Sequence, residues 1–298
     1  MKHARQTKTK KHRFFKAVTI VLLLCFIFCN GLVQFAMVRD GGPVAPAAAA
    51  GGQRVTIQSG DSLELVGQYL PAAQWRHKWV ILVHGYHSSK ELMLAAMGER
   101  YQKQGYHVLA IDQRAHGESQ GKFIGMGWLE RKDLLRWIDW VVQQDGQARI
   151  ALHGISMGGA TVMMTAGEPN LSANVKVAVE DCGYTSAWDI FAYQLQSRFH
   201  LPEMPLLWMC EPVAKLRTGV GLHEASALKQ VKQTTLPMLF IHGTADAFVP
   251  TGMVHPLYEA AGGKKELLLV EGGVHALSRQ AAPDLYYTTV FRFLQENI

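Results

Sequence analysis

Short apolar runs alternate with longer amphipathic stretches through most of the chain. The runs at 79–83, 108–111, 150–152, 175–179, 238–241 and 267–270 are continuous and brief, as suits strands buried on both faces. Between them, Leu134, Trp137, Ile138, Val141 and Val142 recur at i, i+3, i+4, i+7 and i+8, the stripe of a helix that covers a sheet. This βαβ rhythm predicts a mostly parallel sheet with helices on both sides, the α/β class. Upstream, Val55 and Ile57, then Leu63 and Leu65, alternate with polar residues around Ser59, Gly60 and Asp61, which predicts an antiparallel hairpin at the sheet edge. The rhythm breaks once, over about 184–222. There Trp188, Phe191, Leu195 and Phe199 step as a helix stripe, followed by an apolar patch at 204–209 studded with Pro202 and Pro205. We read this interval as an inserted lid, its aromatics facing either substrate or sheet. No internal repeat is present.

The chain opens differently. Residues 17–38 form a run of 22 residues broken only by Thr19, Asn30, Gly31 and Gln34. At ~1.5 Å per residue such a helix reaches ~33 Å, enough to cross a bilayer core. The preceding 16 residues carry seven Lys and Arg and no acid. That asymmetry predicts a basic cytoplasmic tail (1–16), a transmembrane signal-anchor (17–38) and an extracytoplasmic domain beyond it. A cleaved signal peptide is the competing reading, but its apolar core is usually shorter and ends at a small-x-small site, which does not directly follow Phe28. The Gly-, Ala- and Pro-rich stretch that follows predicts a flexible linker (39–53) leading to a single domain at 54–298.

Charge and composition narrow the function. The net +6 lies in the basic tail, so the rest has 23 basic against 24 acidic residues. A groove for phosphate backbones needs cations spread over a domain face, and this chain is expected to bind no nucleic acid. With 48% hydrophobic residues a largely disordered chain is excluded. Of four cysteines two fall in the anchor; Cys182 and Cys210 are too few for a disulfide framework and read as buried thiols.

The chemistry centres on Gly154-Ile155-Ser156-Met157-Gly158, between the 150–152 strand and an apolar helical stretch at 160–166. This is the strand, sharp turn and helix of a nucleophile elbow. A serine hydroxyl needs a base within hydrogen-bond reach and a carboxylate to hold that base's tautomer. If chain order is Ser, acid, His, the base should lie on a loop beyond a late strand. His275, five residues past Val270, fits better than His242 at a strand end or His255 at a helix start. Asp246, just past the 238–241 strand, is the candidate acid, with Asp181 in reserve; Asp189 has the capping-box spacing from Ser186. Two N–H donors should hold the oxyanion, Met157 after the nucleophile and Tyr86 in His84-Gly85-Tyr86 after the first parallel strand. The Tyr86 phenol could add a donor or merely pack.

The order of His84-Gly85-Tyr86, Asp112-Gln113-Arg114-Ala115-His116-Gly117-Glu118-Ser119, the elbow, Asp246 and His275 resembles the α/β-hydrolase superfamily over about 54–298. With the anchor and Asp181-Cys182-Gly183-Tyr184-Thr185-Ser186 it is similar to bacterial membrane-bound hydrolases related to esterases and prolyl-oligopeptidase-like peptidases. The resemblance implies an eight-stranded, mostly parallel sheet, a lid after strand six, a serine nucleophile and no metal. Ala115 and Val274 depart from the family's turn residues. No phosphate-binding or dinucleotide loop and no H-E-x-x-H occurs, so no cofactor is expected. The function expected is hydrolysis of carboxylic esters of apolar acyl or aryl groups at the outer face of a membrane. Short peptides or amides come second, and a silent lipid- or partner-binding module third.

Overall fold

A computed structural model describes residues 2–39 and 51–298. Eight strands form one sheet: β1 (Gln53–Gln58), β2 (Glu64–Leu70), β3 (Lys78–Val83), β4 (His107–Ile111), β5 (Arg149–Ile155), β6 (Val175–Asp181), β7 (Met238–Gly243) and β8 (Lys265–Val270). Their spatial order is β1-β2-β4-β3-β5-β6-β7-β8. β1 and β2 pair antiparallel and form the predicted edge hairpin, β2 joins β4 antiparallel, and β3 to β8 run parallel. Side chains alternate faces along a strand, and on β3 Trp79, Ile81 and Val83 enter one core while Val80 and Leu82 enter the other. This two-sided burial explains why the runs carry no polar alternation.

The longer helices position the rest. They are α1 (Lys2–Met37), α2 (Glu130–Gln144), α3 (Met157–Ala166), α4 (Ala187–Phe199), α5 (Leu206–Thr218) and α6 (Pro283–Asn297). The stripe of α2 and all of α3 pack into the first core. On the opposite face Tyr286, Val290 and Phe293 of α6 close the second. α4 and α5 both fall within the interval at 184–222. α4 follows the predicted stripe, and the apolar patch at 204–209 leads into α5, a continuous helix that runs through Pro212. Pro205 sits at its N-cap, where a missing N–H costs nothing, and the buried Leu207, Cys210, Val213 and Ala214 anchor it.

α1 begins at Lys2 and so includes the basic tail. Its segment Phe14–Met37, 24 residues with mean hydropathy 2.3, is long and apolar enough to span a membrane, as an anchor or a signal sequence does. Phe14 to Phe28 are largely exposed, whereas Cys29, Val33 and Met37, spaced by four, are buried against α5 and the core. The predicted linker is tied at both described ends. Arg39 donates its N–H to Lys122 O at 2.9 Å and its guanidinium to Ser119 O and Gly117 O at 2.8 and 2.6 Å, and Gln53 already belongs to β1. The remainder of that linker, 40–50, lies outside the described residues. Cys182 and Cys210 are buried free thiols.

Candidate active site

Parallel register brings the carboxyl ends of four neighbouring strands to one rim: Ile155 pairs with Asp181, Asp181 with Ile241, and Gly243 with Val270. Ser156 follows β5 there with φ 56° and ψ −117°, a conformation side chains rarely adopt. The neighbouring backbone explains the glycines. A Cβ at Gly154 would lie 2.1 Å from Gly158 O, and one at Gly158 would lie 2.1 Å from Val83 O. Only a chain lacking both can turn this tightly and lift Ser156 Oγ off the sheet.

The structure joins the three candidate side chains in one hydrogen-bonded row. Ser156 Oγ lies 2.9 Å from His275 Nε2, and His275 Nδ1 lies 2.7 Å from Asp246 Oδ2. Asp246 Oδ1 accepts the N–H groups of Phe248 and Val249, both at 2.9 Å. Burial pushes this carboxyl up, but His242 at 3.4 Å and His275 outweigh burial and hold it well below the ordinary carboxylate range. The ring of Phe248 leans on His275, centroids 4.7 Å apart, and restricts its swing.

The rejected alternatives have other employment. Asp181 is fully buried and its carboxylate accepts from Tyr286 Oη at 2.9 Å. Asp189 is the partner of the α4 N-cap: Ser186 Oγ accepts the Asp189 N–H at 3.0 Å and donates its own proton to Asp189 Oδ2 at 2.7 Å. His242 Nε2 faces Val249 O at 2.9 Å, and His255 is exposed on a short helix.

Met157 N–H opens the first turn of α3, where no intrahelical acceptor exists for it. The His84-Gly85-Tyr86 loop lies against the serine: a Cβ on Gly85 would be 3.3 Å from Ser156 Cβ. Sequence reasoning missed the brace of that loop. His84 Nε2 accepts Gln113 N–H at 3.0 Å and Gln113 Nε2 donates to His84 O at 2.6 Å. Burial pulls the His84 imidazole down to about 4, so it stays a neutral acceptor. The Tyr86 phenol donates to Ala36 O at 3.1 Å, which ties the loop to α1. Ala115 takes φ 58°, accommodating a left-handed turn without glycine.

Two groupings of possible metal ligands occur among the described residues. Glu91, Asp112 and Glu118 already surround the Lys90 ammonium at 2.6, 2.8 and 2.7 Å. Cys182 lies beside Asp246 and His275, but those two satisfy each other, and burial pushes the thiol well up, away from the thiolate a metal needs.

Behind the site, Glu180 is fully buried; Oε2 accepts Gly183 N–H at 2.8 Å, while Oε1 has no hydrogen-bond partner among the described residues. Burial pushes its carboxyl up to about 8, against the opposing pull of His242. The folded protein therefore keeps a proton that the unfolded chain loses above the ordinary glutamate value, and stability falls as pH rises from there to about 8. Glu180→Gln, which keeps the neutral shape, is expected to flatten that slope, worth up to about 1.4 kcal/mol per pH unit. Thermal unfolding of both proteins across this range checks it; parallel curves would refute a protonated Glu180.

Known proteins resemble this chain in sequence and fold. The family model described as serine aminopeptidase, S33, matches residues 75–179 and 207–280. The uncharacterized protein YqkD of Bacillus subtilis is 34% identical over 191 residues, 64% of this chain but only 62% of its own length, so the match spans under two thirds of that relative. An esterase of Pyrococcus furiosus superposes with a TM-score of 0.70 at 24% identity, covering 88% of this chain and 98% of its own. The acylaminoacyl peptidase of Pyrococcus horikoshii gives 0.64 at 19%, covering 90% and 43%. At such identities these two structures speak for the fold alone. With the family match, the sheet order and the turn at Ser156 together, the chain belongs to the serine aminopeptidase S33 family of the α/β-hydrolase superfamily.

Proposed function

We propose that this hydrolase cleaves carboxylic esters of apolar acyl or aryl groups through an acyl-enzyme on Ser156. Ser156 Oγ attacks the acyl carbonyl carbon as its proton passes to His275 Nε2, and Asp246 holds the imidazole in the receiving tautomer. The N–H groups of Tyr86 and Met157 stabilise the oxyanion. The ester C–O bond then breaks as His275 returns the proton to the departing alcohol. A water, deprotonated by the same nitrogen, attacks the acyl-enzyme, frees the acid and restores Ser156.

One observation carries the ester preference. The cavity above Ser156 and His275, about 530 Å³, is walled mainly by apolar side chains such as Ile190, Phe191, Leu195 and Leu207, and no carboxylate is among the described residues that line it. An aminopeptidase must hold the ammonium of its substrate, and a desolvated cation without a counter-charge is costly. Besides the serine and His275, the described lining offers Arg198, Gln194, His87, the phenols of Tyr86 and Tyr184 and the Cys210 thiol, and none of these is a carboxylate. The chain is anchored through 17–38 with its N-terminus cytoplasmic and the hydrolase domain outside, as the seven cations of the tail direct.

A panel of aryl esters of increasing acyl length beside aminoacyl arylamides tests the substrate class. The esters are expected to be turned over, longer acyl chains better than acetyl, and the arylamides at least ~100-fold more slowly, in the range that an uncompensated polar group costs. Preference for the arylamides would replace the ester reading with a peptidase. Protease added to intact cells should trim the domain; resistance until the membrane is breached would reverse the orientation.

A further inference from the structure

The cavity has a wall that the hydrolase domain does not supply. Leu32, Val33, Ala36 and Met37, on the last turns of α1, line the same space as Ser156 and His275. They are held there by more than apolar contact. Arg217 donates to Asn30 O at 2.9 Å and to Gln34 Oε1 at 2.6 Å, Tyr86 Oη to Ala36 O, and Ile124 N–H to Met37 O at 2.9 Å. The end of α1 is therefore a fixed part of the site.

Its depth follows from helix arithmetic. A bilayer's hydrocarbon layer takes about 20 helical residues, and counted from Ala17, the first residue after the basic tail, that length ends at about Ala36. The cavity wall and the outer edge of the hydrocarbon thus coincide. The surface around the mouth agrees: Phe35, 79% exposed, and Phe199 on α4 both line the cavity and project outward, with Met204 and Trp208 exposed nearby in sequence. On the other flank, Leu216 of α5 and Leu22 of α1 share one groove, so α5 lies alongside a residue well inside the apolar span. Exposed aromatic and aliphatic side chains at this level suit the acyl and headgroup boundary and not water.

Resting on the anchored-esterase reading above, we propose that the site takes its acyl chains laterally from the outer leaflet, with the last turns of α1 forming one wall of the acyl-binding site. The substrate class is then a long-chain ester of a membrane-resident amphiphile. A soluble ester reaching the site from bulk water would have no use for a pocket built into the anchor.

The full chain in phosphatidylcholine vesicles tests this with two acyl esters of one alcohol, a short-chain and a long-chain one. Ala36→Trp is expected to lower the long-to-short ratio of kcat/KM by roughly tenfold or more, as a filled apolar pocket does. Val33→Ala, which enlarges the pocket, should raise that ratio, and Leu24→Trp, on the exposed part of the span, should leave both rates unchanged. Fluorophosphonate labelling counts folded sites in each variant, so a misfolded Ala36→Trp leaves Val33→Ala to decide. For the wild type, the long-chain rate should follow the mole fraction of ester in the bilayer and not its bulk concentration. An unchanged ratio in labelled Ala36→Trp and Val33→Ala, or dependence on bulk concentration alone, overturns the proposal while leaving the esterase reading intact. Release of the chain from membranes by alkaline carbonate overturns the anchoring, and the lateral route with it.

Discussion

Ser156→Ala is expected to abolish covalent labelling by a fluorophosphonate and to lower kcat for esters by roughly a millionfold, the size of loss seen when a triad serine is removed. The geometry explains why nothing nearby can substitute. The hydroxyl stands on a turn with φ 56°, lifted off the sheet and 2.9 Å from a base that has no other proton to collect on that side. Cys182, a nucleophilic type in the same rim, is fully buried with its thiol held neutral. Thr161, on the following helix, spends its hydroxyl on Gln113 and on the backbone of Met157. The variant should fold as the parent does, since alanine tolerates the turn no worse than serine. Thermal unfolding beside labelling separates lost chemistry from lost structure. A wild-type protein that takes no label and turns over no ester, yet binds an acyl chain, would instead be a binding module on a hydrolase scaffold.

How far the chain discloses itself depends on whether a feature is local or tertiary. The parallel strands were legible because burial on both faces leaves uninterrupted apolar runs, and observed β3, β4 and β7 begin or end within one or two residues of the runs at 79–83, 108–111 and 238–241. The elbow was legible because its glycines are demanded by backbone contacts inside five residues. By contrast, α5 runs through Pro212 because its buried face packs on α1 and the core, contacts made with residues over 180 positions away, as with Arg217 and Asn30. No window on the sequence contains both partners. The same holds for the end of α1. An apolar run of this length reads identically whether lipid or protein covers it, and only the fold reveals that Cys29, Val33 and Met37 face protein. The buried Lys90 likewise looks like a surface lysine until Asp112 and Glu118 are brought around it.

The second large effect is expected from Asp246→Asn, a change of one atom that should lower kcat roughly ten-thousandfold without emptying the site. The orientation of the new amide is dictated by its surroundings. Phe248 and Val249 both donate N–H groups to Oδ1, so that position must remain a carbonyl oxygen. The NH2 is then forced into the place of Oδ2, 2.7 Å from His275 Nδ1. A donor there requires Nδ1 to accept, which moves the imidazole proton to Nε2, the nitrogen that must be bare to receive the proton of Ser156. Labelling should consequently be slowed and not abolished. The substitution also removes a linkage. Because the folded carboxyl is held below its ordinary value, it contributes stability that is present above the unfolded aspartate's value and lost as pH falls through the folded one. A neutral amide cannot make that contribution, so the variant's Tm should lie below the parent's at neutral pH and the gap should narrow as the medium is acidified. Single-turnover rates and thermal unfolding, run side by side from neutral to acid pH, measure both consequences. Activity retained within about tenfold would mean that the imidazole is oriented by another group, and the oxygen of Asp181, though it now serves Tyr286, would be the next to test.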